Sequence, residues 1–424
     1  MNLKKYLKVL DKKLLKALIA AGKTAKAQDL RAYLVGGFVR DMLLKIKNFD
    51  VDIVVSTQGI KFAQTLSRKF NSKITSHKRF GTAVICGKDF KIDISTFRKE
   101  NYPYPGSLPV VSAGSLVDDL GRRDFSINAL AVSINKNDFG HVVDYFSGIE
   151  DLEKKHLRVL HKDSFLDDPT RILRLVRFKS RFGFLIESAT KKLIREARSA
   201  KALEKMQKHR VRDELILIFK ESRPEDVLRF LKDLYGFGFL HENLRFENSQ
   251  TKAFISIRNT LRWFQAEFPL HRPAEVWLMY FIYFLSTLDI PAIKKIISDF
   301  AFKKGELIRI LSFKQDSSRI CGELNNPSLS ASKVYNVLNP YSYEVILIIY
   351  SQSKSRTVKK YIKDFLAVYN FTRIKVTGHD LSKLGIRPGP NFKTILQMVL
   401  EGKLNLRLST KREELSLARK LIKR

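Results

Sequence analysis

Strand-forming sequence is confined to one stretch of this chain, and that confinement limits the possible fold more than any other feature. Apolar, β-branched runs recur at 32–35, 51–55, 82–86, 91–94 and 141–145. Helical periodicity intervenes at 60–70 and is expected again at 125–132. This alternation predicts a mixed α/β domain with a small sheet. Ahead of it, Leu7, Leu10, Leu14, Leu15 and Leu18 repeat at helical spacing, so residues 1–30 are expected to be helix. From about residue 151 the strand signals fade. Amphipathic stretches dominate at 169–182, 187–197, 212–220, 224–234 and 274–287, punctuated by Pro291, Pro327, Pro340 and Pro388. The expected architecture is an α/β head followed by a long all-α remainder, without internal repeats.

At 424 residues the chain is too long for one ordinary domain and is expected to hold two to four. It carries 78 Lys and Arg against 43 Asp and Glu, a net charge of +35. Such a surface repels itself, and a polyanionic partner is its natural complement. A general lysine bias contributes to that charge but does not account for arginines grouped in motifs. Cys86 and Cys321 have no metal-ligand spacing, which fits a reducing compartment and excludes a structural zinc site. No apolar run reaches the roughly 20 residues of a membrane span. The start, MNLKKYLKVLDKKLLKALIAAG, has a short apolar run broken by lysines and no clean cleavage site. It reads as an amphipathic helix, not a targeting peptide, and a cytoplasmic protein is expected.

The most informative stretch is YLVGGFVRDMLLKIKNFDVDIVV, residues 33–55. A strand is expected to end at Val35, with Gly36 and Gly37 after it and a helix opening at Phe38. Adjacent glycines let the backbone turn tightly and approach a ligand without Cβ interference. Their amides, at a helix start, suit phosphate. Asp50 and Asp52 follow on the next strand, where residues two apart point to the same side. Two like charges about 4 Å apart repel by roughly 4 kcal/mol at an effective dielectric near 20. A divalent cation between them removes that cost, and oxygen ligands beside nucleotide phosphates imply Mg²⁺. Two such ions would clamp the attacking and leaving oxygens of a phosphoryl transfer. An isolated D-x-D would read as a solvated strand end; the glycine turn ahead of it changes that reading.

GGFVRD followed by DVDIVV resembles the first motif of the nucleotidyltransferase superfamily, and more narrowly that of the class II tRNA nucleotidyltransferases and bacterial poly(A) polymerases. The resemblance implies a polymerase-β-like head with Asp50 and Asp52 as metal ligands. It further implies Gly36, Gly37 and Arg40 at the nucleotide, and Asp93, in KIDIST, as a third catalytic carboxylate. GRRDFSINALAV, 121–132, is similar to the family's RRDFTINA segment. Its Arg122 and Arg123 suit triphosphate oxygens. Asp124 is expected to cap a helix, and Asp124 and Asn128 to reach ribose hydroxyls. VVDYFSGIEDLEKKHLRVL resembles the hinge between head and neck, where Asp144, Gly148, Asp151 and Arg158 match and hold domain geometry. HRVRDELILIF resembles a structural family helix, with Arg210 and Glu214 spaced to pair with each other and His209 where Glu is usual.

SFLDDPTRILRLVRFKSRFGF, 164–184, resembles the family segment that carries Glu-Asp-x-x-Arg. Asp167 replaces the Glu; Asp168 and Arg171 match, are expected on one helix face, and are implied to read the incoming base. Cytosine and adenine both present an exocyclic amine beside an unprotonated ring nitrogen. A carboxylate accepts from the amine while a guanidinium donates to the ring nitrogen. Guanine and uracil place an N–H there, and an unpaired buried polar group costs about 1–3 kcal/mol. Arg174 and Arg177 continue the basic face, toward the nucleotide or packed carboxylates.

Between about 225 and 360 no catalytic signature appears, and Trp263, Phe264, Trp277, Tyr280 and Tyr283 read as core. TGHDLSKLGIRPGPNFKTILQMVLEG, 377–402, resembles the family's terminal element, with Gly378, Asp380, Leu384, Gly385, Pro388, Gly389 and Pro390 matching. Its Lys383, Arg387 and Lys393 are implied to grip tRNA. The resemblance as a whole implies an α/β head over 1–150, then an elongated all-α neck over 151–225, body over 226–360 and tail over 361–424. It implies addition of C and/or A to tRNA 3′ ends from CTP and ATP by a two-metal Mg²⁺ mechanism, with no oligomeric state specified. Addition of CCA, CC or A alone remain open, as do a poly(A) polymerase and a non-catalytic RNA-binding protein. The Tyr-Pro-Gly-x-Leu-Pro portion of 102–109 looks more like relatives that include A-adding enzymes.

Overall fold

The computed structural model of the chain describes residues 1–8, 10–47, 50–77, 81–87, 90–387, 389–406 and 408–422. Two compact units emerge: residues 1–214 with 233–239, and residues 215–232 with 240–424.

The first unit opens with two helices where one was expected, α1 (Lys4–Lys8) and α2 (Lys12–Ala27). Asp11 divides them because its carboxylate accepts the amides of Lys13 and Leu14 and so starts α2 afresh. A seven-stranded sheet follows, in the order β3 (Lys73–His77), β4 (Thr82–Cys86), β5 (Lys91–Thr96), β2 (Asp50–Val55), β1 (Ala32–Val35), β8 (Leu130–Ser133) and β9 (Val142–Asp144). Only β2 and β5 run parallel; the other neighbours are antiparallel. The helix α3 (Gly37–Leu43) leaves the end of β1, and α4 (Gly59–Lys69) leaves the end of β2. Val51, Ile53, Ile92 and Ile94 are buried, as are Phe62 and Leu66 of α4. On the opposite face Tyr33, Val35 and Val54 pack with Phe97 and with Leu120 of α5 (Leu116–Gly121). The hairpin of β6 (Arg98–Asn101) and β7 (Val110–Ala113) forms a separate two-stranded sheet.

The expected helix at 125–132 is not one. Ser126–Asn128 form a single 3₁₀ turn, and the chain then enters β8, buried along its whole length between β1 and β9. A short apolar run buried on both faces has no periodicity that separates strand from helix.

The same unit continues through α6 (Gly148–Glu153), α7 (Ser164–Asp167), α8 (Thr170–Phe182), α9 (Ser188–Ser199) and α10 (Ala202–Lys205) into α11 (Lys208–Phe219). Two short parallel strands, β10 (His156–Leu157) and β11 (Leu185–Ile186), brace the segment. The second unit is helical, with α12 (Pro224–Leu234), α13 (Asn248–Glu267), α14 (Val276–Leu285), α15 (Ile290–Asp299), α16 (Lys304–Leu324), α17 (Ala331–Leu338), α18 (Tyr343–Gln352) and α19 (Arg356–Ala367) following in chain order. Its core holds Phe254, Phe264, Trp277, Tyr280, Phe281 and Phe284. Trp263 lies flat on Tyr350 at 4.4 Å, and Tyr283 packs against Phe313. The last helices, α20 (Gly378–Lys383), α21 (Pro390–Leu406) and α22 (Lys411–Ile422), close around Val376, Leu381, Val399 and Ala418. The matching Pro388 lies outside the described residues.

Candidate active site

β1 ends at Val35, and Gly36 turns the chain with φ +71°, a left-handed conformation that favours glycine. A Cβ there would sit 2.8 Å from Arg123 Nη1 and 3.3 Å from Asp52 Oδ2. Gly36 is therefore required by its backbone, and a Cβ there would also crowd the two charged side chains beside it. Asp50 and Asp52 alternate with buried Val51 and Ile53 on β2, so both project from the face opposite those side chains. Asp52 stands in register with Asp93 of β5. Together with Val84, Arg98, Arg122 and Arg123, Asp52 and Asp93 line a cavity of about 330 Å³.

The electrostatics of the cavity are unbalanced. Burial raises the Asp52 carboxyl to about 6; Arg123 opposes the rise, Asp93 and Asp50 add to it, and Lys91 opposes it. Lys91 Nζ holds Asp93 Oδ2 at 2.9 Å. Arg123 donates from Nη2 to Asp119 at 3.0 Å, while its buried Nε has no acceptor. Arg122 binds Asp119 at 2.7 Å and Glu100 at 3.2 Å. The Asp119 carboxyl is held down by these two arginines despite its burial.

These residues fit a divalent cation. Asp52 carries charge that burial and two neighbouring carboxylates penalise, and a cation would relieve it. Among the described residues no group of three or more His, Cys, Asp and Glu side chains forms a closed metal site. Mg²⁺ ordinarily needs none, because one or two carboxylates and the substrate phosphates hold it.

The expected basic motifs divide into groups facing the cavity and groups facing inward. Arg40 is buried, pairs with Asp41 at 2.7 Å, donates to Asn128 Oδ1 at 2.7 Å and lies over the rings of Phe182 and Phe178. Asn128 in turn donates to Asp124 at 2.8 Å. Asp124 is not a helix cap: it accepts Arg174 at 2.6 Å, and that arginine and Asn128 keep its carboxyl low against its burial. Arg174 and Arg177 both reach Glu214, at 3.3 and 2.8 Å. The expected Arg210–Glu214 pairing is thus replaced, and Arg210 instead binds Asp168 at 2.8 Å. The hinge motif is structural: Asp151 accepts Ser126 Oγ and Arg158, and Asp144 accepts the amides of Phe146, Gly148 and Ile149.

Asp168 and Arg171 do not share a helix face. Asp168 sits in the break between α7 and α8, where it accepts the Thr170 amide at 3.1 Å. Pro169 forces the break, since the residue before a proline is driven out of helical geometry. Arg171 opens α8, is buried, and donates to Ser164 Oγ and to the Arg122 carbonyl, both at 2.6 Å. The base-reading candidate is thereby tied to the arginine motif of the cavity. Tyr102 lies close enough to feel both charges: burial and Glu100 raise its hydroxyl, Arg171 lowers it and Asp168 raises it.

Arg98 and Glu100 were not anticipated. Glu100 accepts Arg98 at 2.8 Å, Arg122 at 3.2 Å and the Tyr102 hydroxyl at 3.0 Å, so the β6–β7 hairpin is bound into the cavity wall. Lys383, Arg387 and Lys393 are exposed, with no ion-pair partner among the described residues. Asp380 caps α20 through Thr377 and accepts Lys411 at 2.8 Å.

A glycine turn under strand carboxylates, roofed by arginines, is the arrangement the sequence motifs led us to expect of a nucleotidyltransferase head. The family model described as "Poly A polymerase head domain" matches residues 32–158, and that described as "Probable RNA and SrmB- binding site of polymerase A" matches residues 183–244. The A-adding tRNA nucleotidyltransferase of Geobacter sulfurreducens is 34% identical over 406 residues, covering 94% of this chain and 46% of that protein. The chain therefore spans about half the length of that relative. The A-adding tRNA nucleotidyltransferase of Halalkalibacterium halodurans is 31% identical over 416 residues, 96% of this chain and 92% of that protein. Among solved structures, the Thermotoga maritima CCA-adding enzyme complexed with tRNA superposes with a TM-score of 0.74 at 29% identity, over 100% of this chain and 99% of that one. The chain belongs to the family of class II tRNA nucleotidyltransferases and bacterial poly(A) polymerases.

Proposed function

We propose that this chain is a template-independent nucleotidyltransferase that adds C and/or A to the 3′ end of tRNA from CTP and ATP, releasing pyrophosphate, with A addition its principal reaction. The observation that carries the reading is the cavity, where Asp52 and Asp93 stand in register beneath Gly36 and Arg123. Two Mg²⁺ ions held at Asp50 and Asp52 would supply acidification of the RNA 3′-hydroxyl and charge stabilisation at the leaving pyrophosphate. The protein's own groups do the rest. The missing Cβ of Gly36 opens room for the triphosphate; Arg122 and the unpartnered Nε–H of Arg123 hold its oxygens. Arg40, Asp124, Asn128, Arg174 and Arg177 act from behind, keeping the arginine motif and α8 in register. Asp168 and Arg171 read the base. We assign catalysis to residues 1–150, base recognition to 151–225, a helical body to 226–360 and tRNA contact to 361–424, through Lys383, Arg387 and Lys393. Salt should weaken that contact steeply. No described helix is long and apolar enough to cross a membrane, and Cys86 and Cys321 are free thiols, which suits the cytoplasm.

The preference for A rests on the two A-adding relatives, each matched over most of this chain. The deciding experiment offers three tRNAs, ending before CCA, after CC, and complete, with CTP, ATP or both. The CC-ended tRNA should gain one A from ATP, and the tRNA lacking CCA should stay unextended with CTP. Extension by CC and then A would overturn the A restriction and keep the enzyme class. A run of A would make it a poly(A) polymerase, and no extension of any substrate would refute the proposal.

A further inference from the structure

Arg171 is clamped from three directions, and one clamp is a titratable ring. Its Nη1 donates to Ser164 Oγ at 2.6 Å and lies 3.4 Å from His161 Nε2, and its Nη2 donates to the Arg122 carbonyl at 2.6 Å. A guanidinium is planar and carries five N–H donors. The three acceptors take both hydrogens of Nη1 and one of Nη2, which leaves Nε–H and one Nη2–H for a further acceptor. Because the fork is rigid, its acceptors set where those two donors point. Ser164 and the Arg122 carbonyl cannot change charge. His161 can, and at 37% side-chain exposure it adds little to the core.

Facing an arginine, Nε2 is useful only as an acceptor, so the ring must be neutral with its proton on Nδ1. Nδ1 faces Asp167 Oδ2 at 3.9 Å. The charged groups around the ring are Arg171 from α8, Asp167 from α7 and Asp163 just before it. Burial and Arg171 lower the imidazole below its ordinary value, and Asp163 opposes them.

We infer that His161 is a positioning residue for base selection: as a neutral acceptor it fixes the plane of the Arg171 guanidinium, and on protonation it becomes a donor facing a donor and releases it. The inference rests on the assignment of Arg171 to base reading. The test measures ATP and GTP dissociation constants calorimetrically, with Mg²⁺, at about pH 7.5 and about pH 5, the lower value set well under the ordinary imidazole range because burial and Arg171 depress this ring. Wild type is compared with His161→Ala, His161→Gln and Arg171→Ala. Binding needs no turnover, so a failure of 3′-end extension and a failure here are separately visible. Titration of Asp52 cancels in the ATP-to-GTP ratio, since that carboxylate meets the triphosphate common to both.

Wild type should favour ATP and lose part of that preference at the lower pH. His161→Ala should lose roughly tenfold of it at the higher pH, the scale of one hydrogen bond to a charged group. His161→Gln keeps an amide acceptor that does not titrate, and should hold the preference at both pH values. Should His161→Ala fold poorly by its thermal midpoint, the flat profile of His161→Gln still decides. A wild-type ratio and pH dependence in His161→Ala, with the preference lost in Arg171→Ala, overturns this inference alone. An unchanged ratio in Arg171→Ala, or no ATP preference in wild type, overturns it together with the base-reading assignment.

Discussion

On the proposed function, Asp52 faces two opposed requirements, ionisation for chemistry and neutrality for stability. Its folded value of about 6 lies above the ordinary 3.8. The folded state therefore binds an extra proton between those values, and stability falls as pH rises through that window. At pH 7 the whole cost is present, on the order of 1–3 kcal/mol. Asp52→Asn should accordingly be more stable than wild type at pH 7 without divalent cation. The gain should shrink toward pH 4, as urea unfolding would show; equal midpoints at pH 7 would mean that the carboxylate is not strained. That Asp50 and Asp52 share one strand face was legible from their spacing, since residues two apart on a strand point the same way. Arg98 was not, because Arg-Lys-Glu on an edge strand looks like alternating solvated charge. Only the pairing of β6 with β7 and the reach of Glu100 bring it to the cavity.

At the level of elements, the turn that carries the arginine motif depends on a contact only glycine permits. A Cβ on Gly148 of α6 would lie 2.2 Å from the Ser126 carbonyl oxygen and 3.0 Å from Leu130 Cδ2. Alanine favours helix over glycine by up to about 1 kcal/mol. The clash is with backbone, so overpacking at about 1–3 kcal/mol outweighs that gain. Gly148→Ala should lower the urea midpoint, and a variant as stable as wild type would show that the turn yields freely. Helical periodicity located α4, α8 and α9, where one face is polar. It failed at 125–132, where β8 is buried on both faces. Spacing also misassigned ion pairs. Arg210 and Glu214 are four apart on α11, yet Asp168, Arg174 and Arg177 from other elements take them. Local spacing cannot reveal partners that tertiary packing supplies.

Across the whole molecule, the net charge of +35 predicted a polyanionic partner, and the change from strand to helix near residue 150 predicted the architecture. Family membership then joins the two, and on the proposed function the head carries out phosphoryl transfer ahead of the helical remainder. The helical body was the least legible part, because aromatic positions such as Trp277, Tyr280 and Phe281 encode packing and no chemistry. The central claim is that Asp52 serves chemistry and not RNA binding, and Asp52→Asn tests it most directly. A gel-shift titration should give that variant a tRNA affinity within roughly threefold of wild type, since basic phosphate contacts dominate the affinity. The same preparation, given Mg²⁺, ATP and CC-ended tRNA, should incorporate no detectable nucleotide. Incorporation near the wild-type rate would contradict the account.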